Sequence, residues 1–571
     1  MLLDRQRSFD YPACAPDILT LPDAHAPATI DKPRTLSAFA AAPSQTASSA
    51  RSRITGAIRV LNLSSKPKMQ IYWLQAIARL VTDSRPDLAP VICNHLGVEP
   101  APHNILSGLT IGEIGVVYEA LTALASYSSR REMGQYFTPD DVAQFMAKQA
   151  HPTEQGIWLD PCCGVGNLAF QLAKSVPDSA EFISNRLALI DIDPVALKTA
   201  QALLVSFFAK PDEYDSLTKL VNRSVARDYL SIAPLPAHDY VIFNPPYART
   251  ERNDSFESAE SCELFAYFLE KVTKTSKGFV GITPAAYLSG KKYAPLREIL
   301  EDRADGEVLV FDNVPDTCFR GYKYGSTNTS KTNFVRAAIT ISLPKHTGWE
   351  ITPILRWTAG SRTRMWRFAR DFLRPLRLGP SGEWVKLMPE TENIWELTRG
   401  WDLQLRDLIS HHQTGYQLQV ASTPRYYVSA SKRPLDRGSK HILNFKTKQD
   451  LDKAYVILNS SLPYWWWRCL DGGVTLPLRT LLSLPVPSSL EVSDAVVNQL
   501  EISESENVVV KLNAGRLNEN IRHPRDLVEE LDILLFGEYA ASVFDAVYSP
   551  DLFSASGPSR EMDRCPEPDL Q

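Results

Sequence analysis

Residues 158–173 read W-L-D-P-C-C-G-V-G-N-L-A-F-Q-L-A. Trp158-Leu159-Asp160 predicts the end of a short buried strand. Gly164 and Gly166 predict a turn, and the amphipathic run from about Asn167 predicts a helix. Glycines at such a turn let the backbone approach a ligand where a Cβ would clash, beside the positive end of a helix. About 30 residues further on, Leu189-Ile190-Asp191-Ile192-Asp193-Pro194 predicts a second strand with an acidic end. A carboxylate at the position of Asp191 can accept hydrogen bonds from both hydroxyls of a ribose. Asp193, with Pro194 behind it, reads as the cap of the following helix. A Gly-x-Gly turn alone is equally a mere tight turn; its spacing to Asp191 is what points to a nucleoside-binding α/β domain. Cys162 and Cys163 read as small space-fillers.

The rhythm of that segment continues outward. Short apolar runs (IWLD, LALID, HDYVIF, GFVGIT, EVLVF and RAAITISL) alternate with amphipathic stretches from Ile157 to about Leu343. This alternation predicts an α/β domain with a mostly parallel sheet. Upstream, Tyr72, Trp73, Ile77 and Leu80 recur at helical steps, as do Ile111, Ile114, Val117, Tyr118 and Leu121. Residues from about Ala24 to Arg53 are rich in Ala, Pro, Ser and Thr, too poor in large apolar groups to offset their ordering entropy. The expected organisation is a mobile arm over 1–60, a helical region over 61–150 and the α/β domain over 151–345. A mixed α+β domain over 346–490 and a helical segment with an acidic tail over 491–571 complete it; a helix is expected at Arg525–Phe536.

The chain of 571 residues carries a formal charge of −5, which taken in bulk argues against a nucleic-acid partner. Resolved along the chain, that figure is a sum of unlike parts. Residues 349–480 hold 20 basic against 12 acidic residues, and 491–571 hold 6 against 17. Eight cysteines without CxxC pairs exclude a disulfide scaffold and a zinc site, and no apolar run approaches the roughly 18 residues that span a bilayer. A cytoplasmic protein without a membrane partner is the expectation.

The chemistry is carried by residues 238–247, H-D-Y-V-I-F-N-P-P-Y. A strand delivers Asn244 at its carboxyl end, where ligand sites of open α/β sheets lie. Pro245 and Pro246 stiffen the backbone and leave nearby carbonyls free to accept, while Tyr247 adds an aromatic face. An amide oxygen, a stiffly held carbonyl and an aromatic plane form a receptor for a planar ring bearing an amino group. Without the nucleoside-binding features upstream, the same residues would read as a strand end and a Pro-Pro turn.

Asn-Pro-Pro-Tyr after a strand, preceded about 80 residues earlier by Asp-Pro-Cys-Cys-Gly-Val-Gly, resembles the amino-group methyltransferases that use S-adenosylmethionine. Residues 131–139, R-E-M-G-Q-Y-F-T-P, are similar to the G-Q-[YF]-[YF]-T-P segment of gamma-class N6-adenine DNA methyltransferases. In that class a target-recognition domain follows the tetrad, in the order seen here. The resemblance covers about 112–345 well and 427–553 more loosely. It implies a Rossmann-like methyltransferase sheet with an N-terminal helical region and a C-terminal DNA-recognition domain.

Residue by residue, the resemblance implies that Tyr136, Thr138, Asp160, Gly164 and Gly166 hold the methionine portion of S-adenosyl-L-methionine. Asp191 would bind its ribose and Ile192 would pack on its adenine. Asp228 would accept from the adenine amine, with Tyr229 alongside. Asn244 and the Pro245 carbonyl would accept the two hydrogens of the target amine, with Pro246 completing the tetrad. Tyr247 would stack on the target ring, and Phe319 matches the position of a second stacking aromatic. Val165 replaces the more usual small polar residue of the turn, and 321–332 form a longer polar insert than usual.

Arg362, Arg364, Arg367, Arg370, Arg374 and Arg377 fall within 16 residues. An isolated run of this kind reads as a solvated face; beside an adenine-methylation site it reads as phosphate contacts. Arg433 and Arg437 belong to a second candidate patch. Trp465-Trp466-Trp467 reads as core. The expected function is transfer of a methyl group to the N6 amine of a flipped-out adenine in double-stranded DNA, within a restriction–modification or phage-defence system. Alternatives are a protein glutamine-N5 methyltransferase and a non-catalytic DNA-specificity subunit. No nuclease motif stands in the first 130 residues, so a separate restriction endonuclease chain is the expected partner.

Overall fold

The computed structural model describes residues 47–554 except 63–65, 126–137, 151–154, 212, 214, 320–322, 325–326, 329–334, 425 and 514–515. Tyr136, with most of the segment 131–139, lies outside the described residues, as do residues 1–46 of the expected arm. The chain divides into two compact units: among the described residues, one holds 47–351 and 358–376, the other 352–357 and 377–554.

The first unit is built on a nine-stranded sheet, of which it holds every residue but 352–355. In chain order its strands are β1 (Trp158–Asp160), β2 (Leu187–Asp191), β3 (Val225–Ala226), β4 (Tyr240–Phe243), β5 (Gly278–Pro284), β6 (Gly306–Phe311), β7 (Ala337–Ser342), β8 (Trp349–Leu355) and β9 (Arg374–Pro375). They lie side by side as β9-β8-β6-β7-β5-β4-β1-β2-β3. The pairs β1–β2, β1–β4, β2–β3 and β4–β5 are parallel, whereas β7 runs antiparallel between β5 and β6. Strands β1, β2 and β5 are buried at every position, which is why they read as unbroken apolar runs rather than alternating ones. The order makes this a Rossmann-like mixed sheet with helices packed on it. The chain steps outward from β1 to β3, then returns to β4 on the other side of β1. That reversal opens a crevice at the carboxyl ends of β1 and β4.

The helical region packs onto this frame by polar as well as apolar contacts. Trp73 Nε1 donates to Thr199 Oγ1 at 2.9 Å, and the Trp73 and Tyr118 rings lie 4.9 Å apart. Tyr118 Oη donates to Asp193 Oδ2 at 2.6 Å. The other Asp193 oxygen caps the helix Pro194–Phe208, accepting from Val195 N at 2.9 Å.

Three expected boundaries move. Residues 47–60, assigned to the arm, fall in the helix Ala47–Leu61, because Ile54, Ala57, Ile58 and Leu61 recur on one face and are buried. The α/β unit does not end at 345: the helix Arg362–Phe368 and strand β9 belong to it, with Met365, Ala369 and Phe372 buried. The segment after 491 is no separate piece either. Leu500, Leu527, Leu531, Val543 and Val547 share one core with Trp395, Trp465, Trp466 and Trp467, and the Trp395 and Trp466 rings stack at 5.4 Å. This second unit also carries a three-stranded sheet of Gln417–Ala421, Ala430–Ser431 and Lys440–Asn444, and the expected helix Arg525–Phe536.

Candidate active site

Gly164 and Gly166 adopt left-handed φ angles of 53° and 93°, turning the chain from β1 into the helix Asn167–Lys174. A Cβ at Gly166 would stand 3.0 Å from Ala200 Cβ, so the turn and the packing of two helices both require glycine. The Asp191 carboxylate sits across this turn, accepting from Gly164 N at 2.7 Å and from Asp193 N at 2.8 Å. Burial pushes the Asp191 carboxyl up to about 6; the two amides and Ile192 N pull the other way, and the charge of Asp193 adds to the rise. Its neighbour Ile192 is 61% exposed, an apolar face turned outward at the strand end.

Asp160, 1% exposed, accepts from Cys162 N at 3.3 Å through Oδ1. Its Oδ2 has no hydrogen-bond partner among the described residues, and burial lifts the carboxyl well above its usual range. A buried carboxylate left half-satisfied in this way is complementary to a cationic donor such as an ammonium group. At the end of β3, Asp228 is exposed and accepts from Leu230 N at 2.9 Å. Tyr229 is instead buried, its ring 5.0 Å from Phe268 and beneath the Lys271 ammonium at 4.9 Å. Tyr229 thus supports the loop from within the core.

At the head of β4, the Asn244 amide Nδ2 donates to Thr138 Oγ1 at 3.0 Å. Thr138 is held in turn by Asn167 Nδ2, which donates to its carbonyl at 2.7 Å. The Cys162 thiol donates to the Asn244 carbonyl at 3.2 Å, tying the exit of β1 to the exit of β4. Burial raises both the Cys162 and Cys163 thiols well above their usual range, so they are neutral and unsuited to nucleophilic work. Pro245 is buried, and Pro246 and Tyr247 are half-buried. Tyr247 Oη donates to the Ile282 carbonyl at 3.1 Å, which fixes its ring. The buried Phe319 ring meets it edge-on, with centroids 5.9 Å apart and planes at 86°.

Thr138, Asp160, Gly164, Asp191, Asn244, Tyr247 and Phe319 therefore converge on the carboxyl ends of β1, β2 and β4. The basic residues do not form one outward face, and burial corrects the expectation for Arg362 and Arg437. Arg362 is 7% exposed and pairs with Asp141. Arg370 pairs with Glu307, and Arg433 with Glu504 and Glu519. Arg437, also 7% exposed, donates to Thr423 Oγ1 and Asn520 Oδ1 at 2.6 Å each, and to the carbonyls of Ser439 and Glu519. The guanidiniums of Arg362 and Arg437 are spent on acceptors within the fold, whereas Arg433 is half-buried and Arg370 is exposed. Arg364 and Arg367 lie over the Phe368 ring at 5.5 and 5.2 Å, with Arg367 exposed. Sequence reasoning missed Asp141 and Trp366, which carry no local motif.

Among solved structures, the chain is similar to the protein of the DrdV–DNA complex, at 12% identity over 66% of this chain and 47% of that one, TM-score 0.40. It thus spans about half the length of that protein. It is also similar to the type IIG restriction endonuclease BpuSI, at 11% identity, 87% and 79% coverage and a TM-score of 0.39. A third is the methyltransferase subunit of a type I restriction–modification system from Streptococcus thermophilus, at 15% identity, 52% and 60% coverage and a TM-score of 0.30. Residues 110–277, which span the segment from the helix Ile111–Ala125 to the start of β5, match the family model described as N-6 DNA Methylase.

Proposed function

We propose that this chain methylates the N6 amine of adenine in double-stranded DNA, taking the methyl group from S-adenosylmethionine, as the modification enzyme of a restriction–modification system. The observation that carries the reading is the Asn244–Thr138 hydrogen bond at the head of β4. It commits the amide nitrogen of Asn244, three residues before Tyr247, to the Thr138 hydroxyl, and the Tyr247 ring meets Phe319 edge-on. The match of residues 110–277 to N-6 DNA methylases supports an exocyclic amine as acceptor.

The residues present fit the cofactor. The half-satisfied Asp160 carboxylate suits its ammonium group, Asp191 its ribose hydroxyls and the exposed Ile192 face its adenine. When bound, S-adenosylmethionine supplies an electrophilic methyl carbon on a sulfonium that departs as a neutral thioether. The protein's part is positional. The lone pair of an adenine amine is delocalised into its ring, making it a weak nucleophile. Two fixed acceptors, Asn244 Oδ1 and the Pro245 carbonyl, draw its N–H groups toward a tetrahedral arrangement and aim the lone pair. A base inside a duplex cannot reach such a pocket, so the target adenine is flipped out onto the Tyr247 ring, which Phe319 backs edge-on. Cleavage of unmodified DNA, where it occurs, falls to a separate endonuclease chain.

The test is to incubate the purified chain with labelled S-adenosylmethionine and unmethylated duplex DNA, then to digest the DNA to nucleosides. The expected product is N6-methyladenine, absent with Asn244→Ala. Label in protein alone, or none from folded protein across diverse DNA, would overturn the reading.

A further inference from the structure

Arg362 and Phe319 are brought together by contacts that their separation in sequence hides. The Arg362 guanidinium donates through Nη1 to the Thr317 carbonyl at 3.1 Å and through Nη2 to the Cys318 carbonyl at 3.3 Å. These carbonyls immediately precede Phe319. The other edge of the guanidinium binds Asp141, with Nη2 to Oδ1 at 3.0 Å and Nε to Oδ2. Asp141 stands in the first turn of the helix Asp140–Ala150, three residues after Thr138. Trp366, one turn beyond Arg362, donates its indole N–H to the same carboxylate at 2.8 Å. Its ring packs at 4.9 Å from Phe145 and 5.1 Å from Phe311.

We propose that Arg362 is a positioning residue for the base pocket: its guanidinium, anchored by Asp141, fixes the Thr317–Cys318 backbone and with it the Phe319 ring against Tyr247. The inference rests on the proposed function for what the pocket receives, and on geometry alone for what the clamp holds. One rigid fork joins the two walls of the site. On one side is the segment whose Thr138 orients Asn244, and on the other the loop that carries Phe319. A guanidinium can bind a carboxylate along one edge and two carbonyls along the others at once; an ammonium is a point donor and cannot span them. Phe319 is followed by a long polar insert and has no strand of its own to hold it, which is why its position needs such a tie.

The test places para-fluorophenylalanine at position 319 of the full chain and reads its fluorine NMR resonance, with Tyr247→Leu marking the shift when the edge contact is lost. Arg362→Met and Arg362→Lys are each expected to move the resonance toward the Tyr247→Leu position. They are expected to lower kcat for methyl transfer to DNA by about tenfold or more, while the Kd for S-adenosylmethionine stays within about twofold. Asp141→Asn, which keeps the guanidinium but loosens its anchor, is expected to do the same more weakly, and serves if the Arg362 variants fail to fold. An unmoved resonance in all variants that fold, or full kcat with a moved one, would overturn the proposal. A wild-type chain that transfers no methyl to DNA, with the resonance still moved by Arg362→Lys, would sink the proposed function and leave the clamp standing.

Discussion

Asn244 and Thr138, 106 residues apart in the chain, meet through a 3.0 Å hydrogen bond in which the amide donates to the hydroxyl. An asparagine amide has two faces of opposite polarity, and here the donor face is the one turned to the Thr138 hydroxyl. The resemblance places Thr138 with the cofactor's methionine portion; the geometry gives its side chain a further contact, with the Asn244 amide. Thr138→Val keeps the shape and removes the acceptor. The loss of one such bond, about 1–1.5 kcal/mol, is expected to lower kcat for DNA methylation about tenfold, with stability little changed. A variant with wild-type kcat would show that the amide is oriented by other means.

Gly166 adopts φ 93° and faces Ala200 across the turn. Gly166→Ala combines a left-handed backbone with a Cβ 3.0 Å from another, and is expected to destabilise the α/β unit by about 1–3 kcal/mol in chemical denaturation. An unchanged midpoint would mean that the turn relaxes freely.

Asp191 is expected to give the chain a pH signature. Its folded-state carboxyl is raised from about 3.8 to about 6 by burial. A raised carboxyl favours the fold fully below its unfolded value, and that contribution is lost as pH rises through about 6. The stability of Asp191→Asn relative to wild type should therefore increase between pH 4 and 7. Cofactor binding carries the opposite sign, since ribose hydroxyls donate to the ionised form. Affinity for S-adenosylmethionine is expected to fall by up to about tenfold per pH unit below about 6 in wild type, and to stay flat in Asp191→Asn. Titration calorimetry across pH checks this, and a flat wild-type profile would remove Asp191 from the binding site.

The basic residues separate by what their charge already touches. Arg367→Gln, at an exposed position, is expected to reduce the slope of log affinity for DNA against log salt by about 1. Arg437→Gln removes a buried guanidinium with four acceptors. It is expected to leave that slope alone while costing about 1–3 kcal/mol of stability. Filter binding at several salt concentrations, beside thermal unfolding, distinguishes them; a salt slope reduced by Arg437→Gln would reverse the assignment.

The strand–turn–helix at 158–174, the acid at 191 and the tetrad at 244–247 were legible because each is local. A buried parallel strand writes itself as an apolar run, a left-handed turn demands glycine, and a strand end places its next residue in the crevice. The helix at 47–61 was missed because an Ala- and Ser-rich composition masked one apolar face of Ile54, Ala57, Ile58 and Leu61. The arginines misled for a related reason: composition counts charges, and Arg362, Arg370, Arg433 and Arg437 are committed to partners far away in the chain.

Local backbone chemistry was thus enough to read the sheet and the glycine turn. The folded chain alone decided which side chains face the crevice and which arginines are buried. Phe319 reaches Tyr247, Thr138 reaches Asn244 and Arg362 reaches Asp141, 221 residues away, only once the sheet order has brought their strands and loops together. A hydrogen bond acts over about 3 Å in space, and no spacing along the chain encodes that distance.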